Sequence, residues 1–121
     1  MQFKEKKAIY VQIADMITDN ILSGKWKEDE RIPSVRELAV SVEVNPNTAA
    51  RTYNYLQEKG IIKNKRGIGY FVSSEGIKQA RETRKDEFIK NELPRFFRML
   101  DILGMNLKTV EKFYKMHLSE K

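Results

Sequence analysis

The chain has 121 residues, 40% of them apolar and 33% charged, which is enough for one compact domain and a short appendage. Lysine and arginine outnumber aspartate and glutamate 23 to 17, and the net charge of +6 suits an anionic partner: nucleic acid, a membrane surface or an acidic protein. With no cysteine, disulfides, zinc–thiolate sites and thiol nucleophiles are excluded.

The N-terminal run MQFKEKKAIY lacks the apolar core of a signal peptide. No apolar run approaches the ~20 residues a membrane helix needs. A soluble, cytoplasmic protein is therefore expected. Residues 8 to 23 carry Ile9, Ile13, Ile17 and Ile21 at four-residue spacing, with Gln12, Asp15 and Asp19 turned away. That is an amphipathic helix, closed by Gly24. A polar connector, KWKEDER, follows, in which Trp26 reads as a core plug.

Pro33, Ser34 and Glu37 open a second, shorter helix, since Ser34 and Glu37 have capping-box spacing. Val35, Leu38, Ala39 and Val42 form its inner face, and the helix breaks between Ser41 and Asn45. Asn45 and Pro46 then start a third helix. The asparagine side chain serves an orphan amide, and proline at the first helical position gives up an N–H that has no partner there. The helix is expected from Pro46 to about Lys59, with Gly60 closing it.

On a wheel of 100° per residue, Ala49, Thr52, Tyr53 and Leu56 cluster on one side and Asn47, Arg51, Asn54 and Glu58 on the other. Arginine can bond guanine bidentately, and asparagine can do the same with adenine. The first turn also offers free amides to a phosphate. A short helix, a tight turn and such a helix make a helix-turn-helix. Ile61-Ile62 and Tyr70-Phe71-Val72 read as strands of a hairpin around 63–69, whose Lys63, Lys65 and Arg66 would reach phosphates or a minor groove. Between Arg51 and Arg66 five basic residues stand against one acidic.

From Glu75 onward the chain reads as charged helix. Ile89, Leu93, Phe96, Leu100 and Leu103 form an apolar stripe, interrupted by Pro94, so either a kink or a restart is expected near Leu93. Gly104 ends that element. Asn106 caps a last helix to about Leu118, with Val110, Phe113 and Tyr114 inward. His117 is the sole histidine and has no second ligand near it, so no metal is expected. Nor is a catalytic residue or a cofactor expected. There is no phosphate-loop glycine pattern, no plausible carboxylate pair, and no base placed to activate a serine.

In order and spacing, IYVQIADMITDNILSG, RIPSVRELA, VNPNTAARTYNYLQEKGII and KRGIGYFV resemble the GntR family of winged helix-turn-helix regulators over about residues 8 to 73. VNPNT with a short helical tail resembles the YtrA subfamily. The resemblance implies a mostly α fold with a small β-hairpin wing. Residues 1–74 would be the DNA-binding domain and 75–121 a helical dimerisation tail. It implies a transcriptional regulator, usually a repressor, that binds a pseudo-palindromic operator as a homodimer. The DNA-contacting set it implies is Arg36, Asn45, Asn47, Thr48 and Arg51, with Arg66 and Gly67 at the wing tip; Ser34 and, from the basic hairpin read above, Lys65 complete the expected set. Arg36 would meet the phosphate backbone or a base edge. The dimerisation set is Phe88, Ile89, Leu93, Phe96, Phe97, Leu100, Leu103 and Phe113.

Three positions depart from the family pattern. Asp29 stands where glycine is usual, Ala49 replaces the commoner valine, and Ala50 replaces a polar or basic residue. Ala50 removes a possible DNA contact, so a base preference does not transfer from relatives. Residues 75–121 are too few for the usual sensor folds, and the sequence singles out no effector ligand. The alternative is a winged-helix protein–protein interaction module, which an apolar outer face on the third helix would favour.

Overall fold

Ile13, Ile17 and Ile21 line one face of the first helix, α1 (Ile9–Leu22), and are buried in the core. Burial of each isoleucine contributes about 1.5–3 kcal/mol. Ile9, expected on the same stripe, is exposed, because the first turn of α1 lies beyond the core cluster. The computed structural model describes residues 7–121. Residues 1–6, on which the expectation of no signal peptide partly rests, lie outside them.

Helix α2 (Val35–Ser41) starts on the expected capping box. The Glu37 amide donates to Ser34 Oγ at 3.1 Å, and the Ser34 amide donates to Glu37 Oε1 at 2.8 Å. Leu38 and Ala39 are buried, and Val35 and Val42 pack against the core from its edge. Helix α3 (Pro46–Glu58) starts where Asn45 Oδ1 accepts from the Asn47 amide at 2.7 Å, with Pro46 in the first turn. Its buried side is Ala49, Thr52, Tyr53 and Leu56, as the wheel predicts. It packs against both α1 and α2.

The turn between α2 and α3 is made without glycine. Glu43 takes a left-handed φ of 56°. The Val44 amide returns to the Ala39 carbonyl and the Glu43 amide to the Val40 carbonyl, a Schellman closure. α3 closes the same way on Gly60, at φ 78°.

The hairpin has longer strands than expected. β1 (Ile62–Lys65) and β2 (Gly69–Val72) pair antiparallel, Ile62 opposite Val72 and Lys65 opposite Gly69. Lys63 and Lys65 therefore lie in a strand, and the tip is reduced to Arg66, Gly67 and Ile68. The connector before α2 is also more than a linker. The Asp29 and Ile32 amides donate to the Val72 and Tyr70 carbonyls, and the Val72 amide donates to the Glu30 carbonyl. Residues 29–32 thus extend the sheet by a third, short edge. Trp26 packs against the core, as its plug reading required.

Helix α4 (Gly76–Glu87) begins directly on the sheet. A Cβ at Gly76 would stand 2.6 Å from the Ile61 carbonyl oxygen and 2.9 Å from Val72 Cγ1, so only glycine fits this close approach. Ala80, one turn on, belongs to the core. Arg84 bridges back to Asp15 and Asp19 of α1 at 3.3 and 3.1 Å. Contacts divide the chain into two compact units, Met1–Arg84 and Lys85–Lys121, so the first turns of α4 pack with the winged unit.

In the second unit the chain passes proline without leaving helical conformation: Glu87, Glu92 and Leu93 all stay right-handed, and the Leu93 amide donates to the Phe88 carbonyl. A π-helical turn (Phe88–Glu92) hands over to α5 (Leu93–Leu103), which takes Pro94 in its first turn, where a missing N–H is tolerated. Gly104, at φ 68°, closes α5, and Asn106 caps α6 (Leu107–Ser119) by accepting from the Thr109 amide at 3.0 Å. Val110 is half-buried. Phe113 and Tyr114, expected inward, are exposed in the single chain, because α6 has no buried residue in it.

Candidate nucleic-acid interface

The expected contact residues fall on three elements. Ser34 and Arg36 open α2; Asn45, Asn47, Thr48 and Arg51 occupy the cap and first turns of α3; Lys65, Arg66 and Gly67 form the end of β1 and the wing tip. α3 packs against α2 and against β1, so the first two elements and the base of the wing form one framework. Arg36, Asn45, Asn47, Arg51, Lys65, Arg66 and Gly67 are exposed, while Ser34 and Thr48 are half-buried. The outward face of α3 bears Asn47, Arg51, Asn54 and Glu58, all exposed and none apolar.

Several of these groups already have work inside the fold. Ser34 Oγ accepts within the capping box but keeps its own hydrogen to donate. The amide that Ser34 donates holds the Glu37 carboxyl below the usual carboxylate range. The Asn45 carbonyl oxygen caps α3, which leaves its NH₂ facing outward for another acceptor. Lys65 Nζ lies over the Phe71 ring at 4.4 Å from the centroid. Gly67, at φ 77°, lets the tip turn while the Ile68 amide closes on the Lys65 carbonyl at 2.8 Å.

Lys63, read as a phosphate contact, is drawn elsewhere. Its Nζ pairs with Asp29 Oδ1 at 3.0 Å. Asp29 itself holds φ 63°, so the left-handed turn usual for glycine is kept here by an aspartate. Sequence reasoning also passed over Tyr10. The Arg51 guanidinium carbon sits 4.2 Å from the Tyr10 ring centroid. No spacing rule links an aromatic in α1 to an arginine in α3, since the contact exists only once the two helices pack.

The recognition helix is held rigidly from behind. Thr52 Oγ1 donates to the Tyr10 carbonyl at 2.9 Å, and the Tyr53 hydroxyl donates to the Pro33 carbonyl at 2.5 Å. Burial pushes the Tyr53 phenol up from its ordinary value, with Tyr70 and Glu37 adding to the rise. Among the described residues no group of three or more His, Cys, Asp or Glu could hold a metal ion. His117 is exposed, and its ring stacks near Tyr114. Among the described residues no helix is long and apolar enough to cross a membrane.

Three packed helices, a capped recognition helix with a polar outer face, and a basic hairpin define a winged helix-turn-helix protein, a DNA-binding class. The match to the family of bacterial regulatory proteins named gntR spans residues 9–72, and the chain belongs to that family. It is 35% identical over 104 residues to YhcF of Bacillus subtilis, an uncharacterized HTH-type transcriptional regulator, covering 86% of this chain and 84% of YhcF. To the HTH-type transcriptional repressor YtrA of the same organism it is 34% identical over 107 residues, covering 88% and 82%. A crystal structure of a GntR-family regulator from Bacteroides thetaiotaomicron superposes with a TM-score of 0.76 at 49% identity, covering 93% of this chain and 98% of that one. The chain is thus a YtrA-like, DNA-binding transcriptional regulator and not an enzyme.

Proposed function

We propose that the chain is a cytoplasmic repressor that binds a pseudo-palindromic operator as a homodimer. Residues 46–59 enter the major groove, and the wing (63–69) meets phosphates or the minor groove. The observation that carries this reading is the outer face of α3, where Asn47 and Arg51 stand exposed opposite a fully buried side. Asn45, Asn47, Thr48 and Arg51 lie at the base edges. Ser34 sits on the sugar–phosphate backbone, Arg36 on the backbone or a base edge, and Lys65, Arg66 and the Gly67 amide at phosphates or the minor groove. The repressor sense follows the likeness to YtrA.

Dimerisation is assigned to 75–121, where the apolar surface of the single chain is concentrated. Phe88, Ile89, Phe96, Phe97, Leu103 and Phe113 are exposed, while Leu93 is half-buried and Leu100 buried. A second copy would cover the exposed set, and a dimer would present two α3 helices to half-sites ~34 Å apart.

Fluorescence anisotropy tests the reading. The duplex upstream of the chain's own gene is compared with a scrambled duplex at two salt concentrations, and sedimentation gives the mass. Promoter preference that survives the higher salt, together with a dimer mass, is expected. Equal and strongly salt-sensitive binding to both duplexes, or a monomer at micromolar concentration, would count against it.

A further inference from the structure

α3 contains a single cation, Arg51, because its neighbour at the usual polar or basic position is Ala50. Whatever base that helix reads through a cationic side chain, it reads through Arg51. An exposed arginine normally samples many rotamers, and fixing it at a base edge costs that freedom. Here the guanidinium is already held, 4.2 Å above the ring of Tyr10.

The ring is itself anchored. Tyr55 meets it edge-on, with centroids 5.9 Å apart and planes at 79°. The Tyr10 carbonyl accepts from the buried Thr52 hydroxyl, one residue along α3 from Arg51. Lys59 stands over the far aromatic, 5.5 Å from the Tyr55 centroid. Two cations therefore flank a pair of rings across the α1–α3 seam: Arg51, Tyr10, Tyr55, Lys59. A cation over a ring is attracted through the face of the π system. The hydrogen-bonding edges of guanidinium lie in its own plane and stay open for a forked contact.

We propose that Tyr10 is a positioning residue for DNA recognition. Its ring presets the Arg51 guanidinium for a base edge, so that sequence preference depends on a side chain in α1 that needs no DNA contact of its own. This rests on Arg51 reading a base, as proposed above, and the two claims are separable.

The test uses the full chain and a duplex selected by it from a randomised pool, against a scrambled duplex. Four variants are compared with the parent: Tyr10→Phe, Tyr10→Leu, Arg51→Ala, and Tyr10→Leu with Arg51→Ala. The readout is the ratio of the two affinities. Arg51→Ala should lower the ratio by roughly five- to a hundredfold. Tyr10→Leu should lower it by roughly two- to fivefold. Tyr10→Phe, which keeps the ring, should match the parent, and the double variant should match Arg51→Ala alone. If Arg51→Ala leaves the ratio unchanged, Arg51 reads no base and the premise fails. If Arg51→Ala lowers the ratio but Tyr10→Leu does not, or if Tyr10→Leu lowers it equally without Arg51, the role of Tyr10 is overturned and the base contact stands. Circular dichroism checks that each variant folds. A second measurement needs no change at Tyr10: in the free parent, the Arg51 side-chain protons should show upfield ring-current shifts in NMR. Random-coil shifts there would overturn the proposal.

Discussion

Tyr53→Phe removes one oxygen atom from the centre of the DNA-binding unit. Tyr53 is fully buried, and its hydroxyl donates to the Pro33 carbonyl, which tethers α3 to the segment that opens α2. Phenylalanine keeps the ring and its contact with Tyr70, 4.7 Å between centroids. No large cavity term is therefore expected. The loss is one neutral hydrogen bond, ~1 kcal/mol, plus part of the cost of stranding a half-buried carbonyl, ~1–3 kcal/mol in full. We expect a net destabilisation of about 1–2 kcal/mol. Urea unfolding at a fixed protein concentration reads this as a lower midpoint with an unchanged slope. The alkaline limb gives a second reading. Burial raises the folded phenol above its ordinary value of 10.0, so the folded state favours the neutral form. That contribution is complete below about pH 10 and is lost as pH climbs from there toward the folded value. The parent should therefore lose stability above pH 10 faster than Tyr53→Phe does. A phenylalanine variant as stable as the parent at neutral pH, with a parallel alkaline limb, would refute the tether.

Three further changes probe other parts of the argument. Ser34→Ala should cost about 1 kcal/mol through loss of the cap. Glu37 has a lowered carboxyl in the folded state, so its contribution is present above the ordinary glutamate range and fades as pH falls through the folded value. Ser34→Ala keeps the backbone amide that lowers this carboxyl and removes only the smaller share of the hydroxyl, so an NMR titration should show it still below the ordinary value. Gly76→Ala drives a methyl into the Ile61 carbonyl and should destabilise by about 1–3 kcal/mol, measured by thermal unfolding. Lys65→Ala should weaken binding to selected and scrambled DNA alike and reduce the salt slope by about 1, read by anisotropy across a salt series.

What could be read in advance follows from the range of the interactions. Asn45-Pro46, the Ser34–Glu37 box and the closing Gly60 act within a few residues, so their roles were evident from spacing. The buried side of α3 obeys a local period and was equally plain. Pro94 left a kink or a restart open, and the chain instead passes it in unbroken helix through a π-helical turn that had no sequence signal. Pairing of residues 29–32 with β2 was missed because Asp29, Glu30 and Arg31 are polar and the bonds are backbone bonds to a strand far along the chain. The commitments of Arg51 to Tyr10 and Lys63 to Asp29 depend on tertiary packing in the same way. For Phe113 and Tyr114 the apolar period was real, but it did not say whether the covering surface lies in the same chain.

Asp29 links the shape of the wing to its electrical footprint. The aspartate keeps a left-handed turn that glycine would adopt freely, and its carboxylate partly cancels Lys63 at the foot of the hairpin. A change to glycine would leave the backbone path intact and unmask a positive charge at the foot of the hairpin that is proposed to meet DNA. Non-specific grip on DNA would rise with no change at any base-reading position. One codon far from the recognition helix would then act as a dial on how long the regulator lingers on non-operator sequence, tunable by selection without altering which operator it prefers.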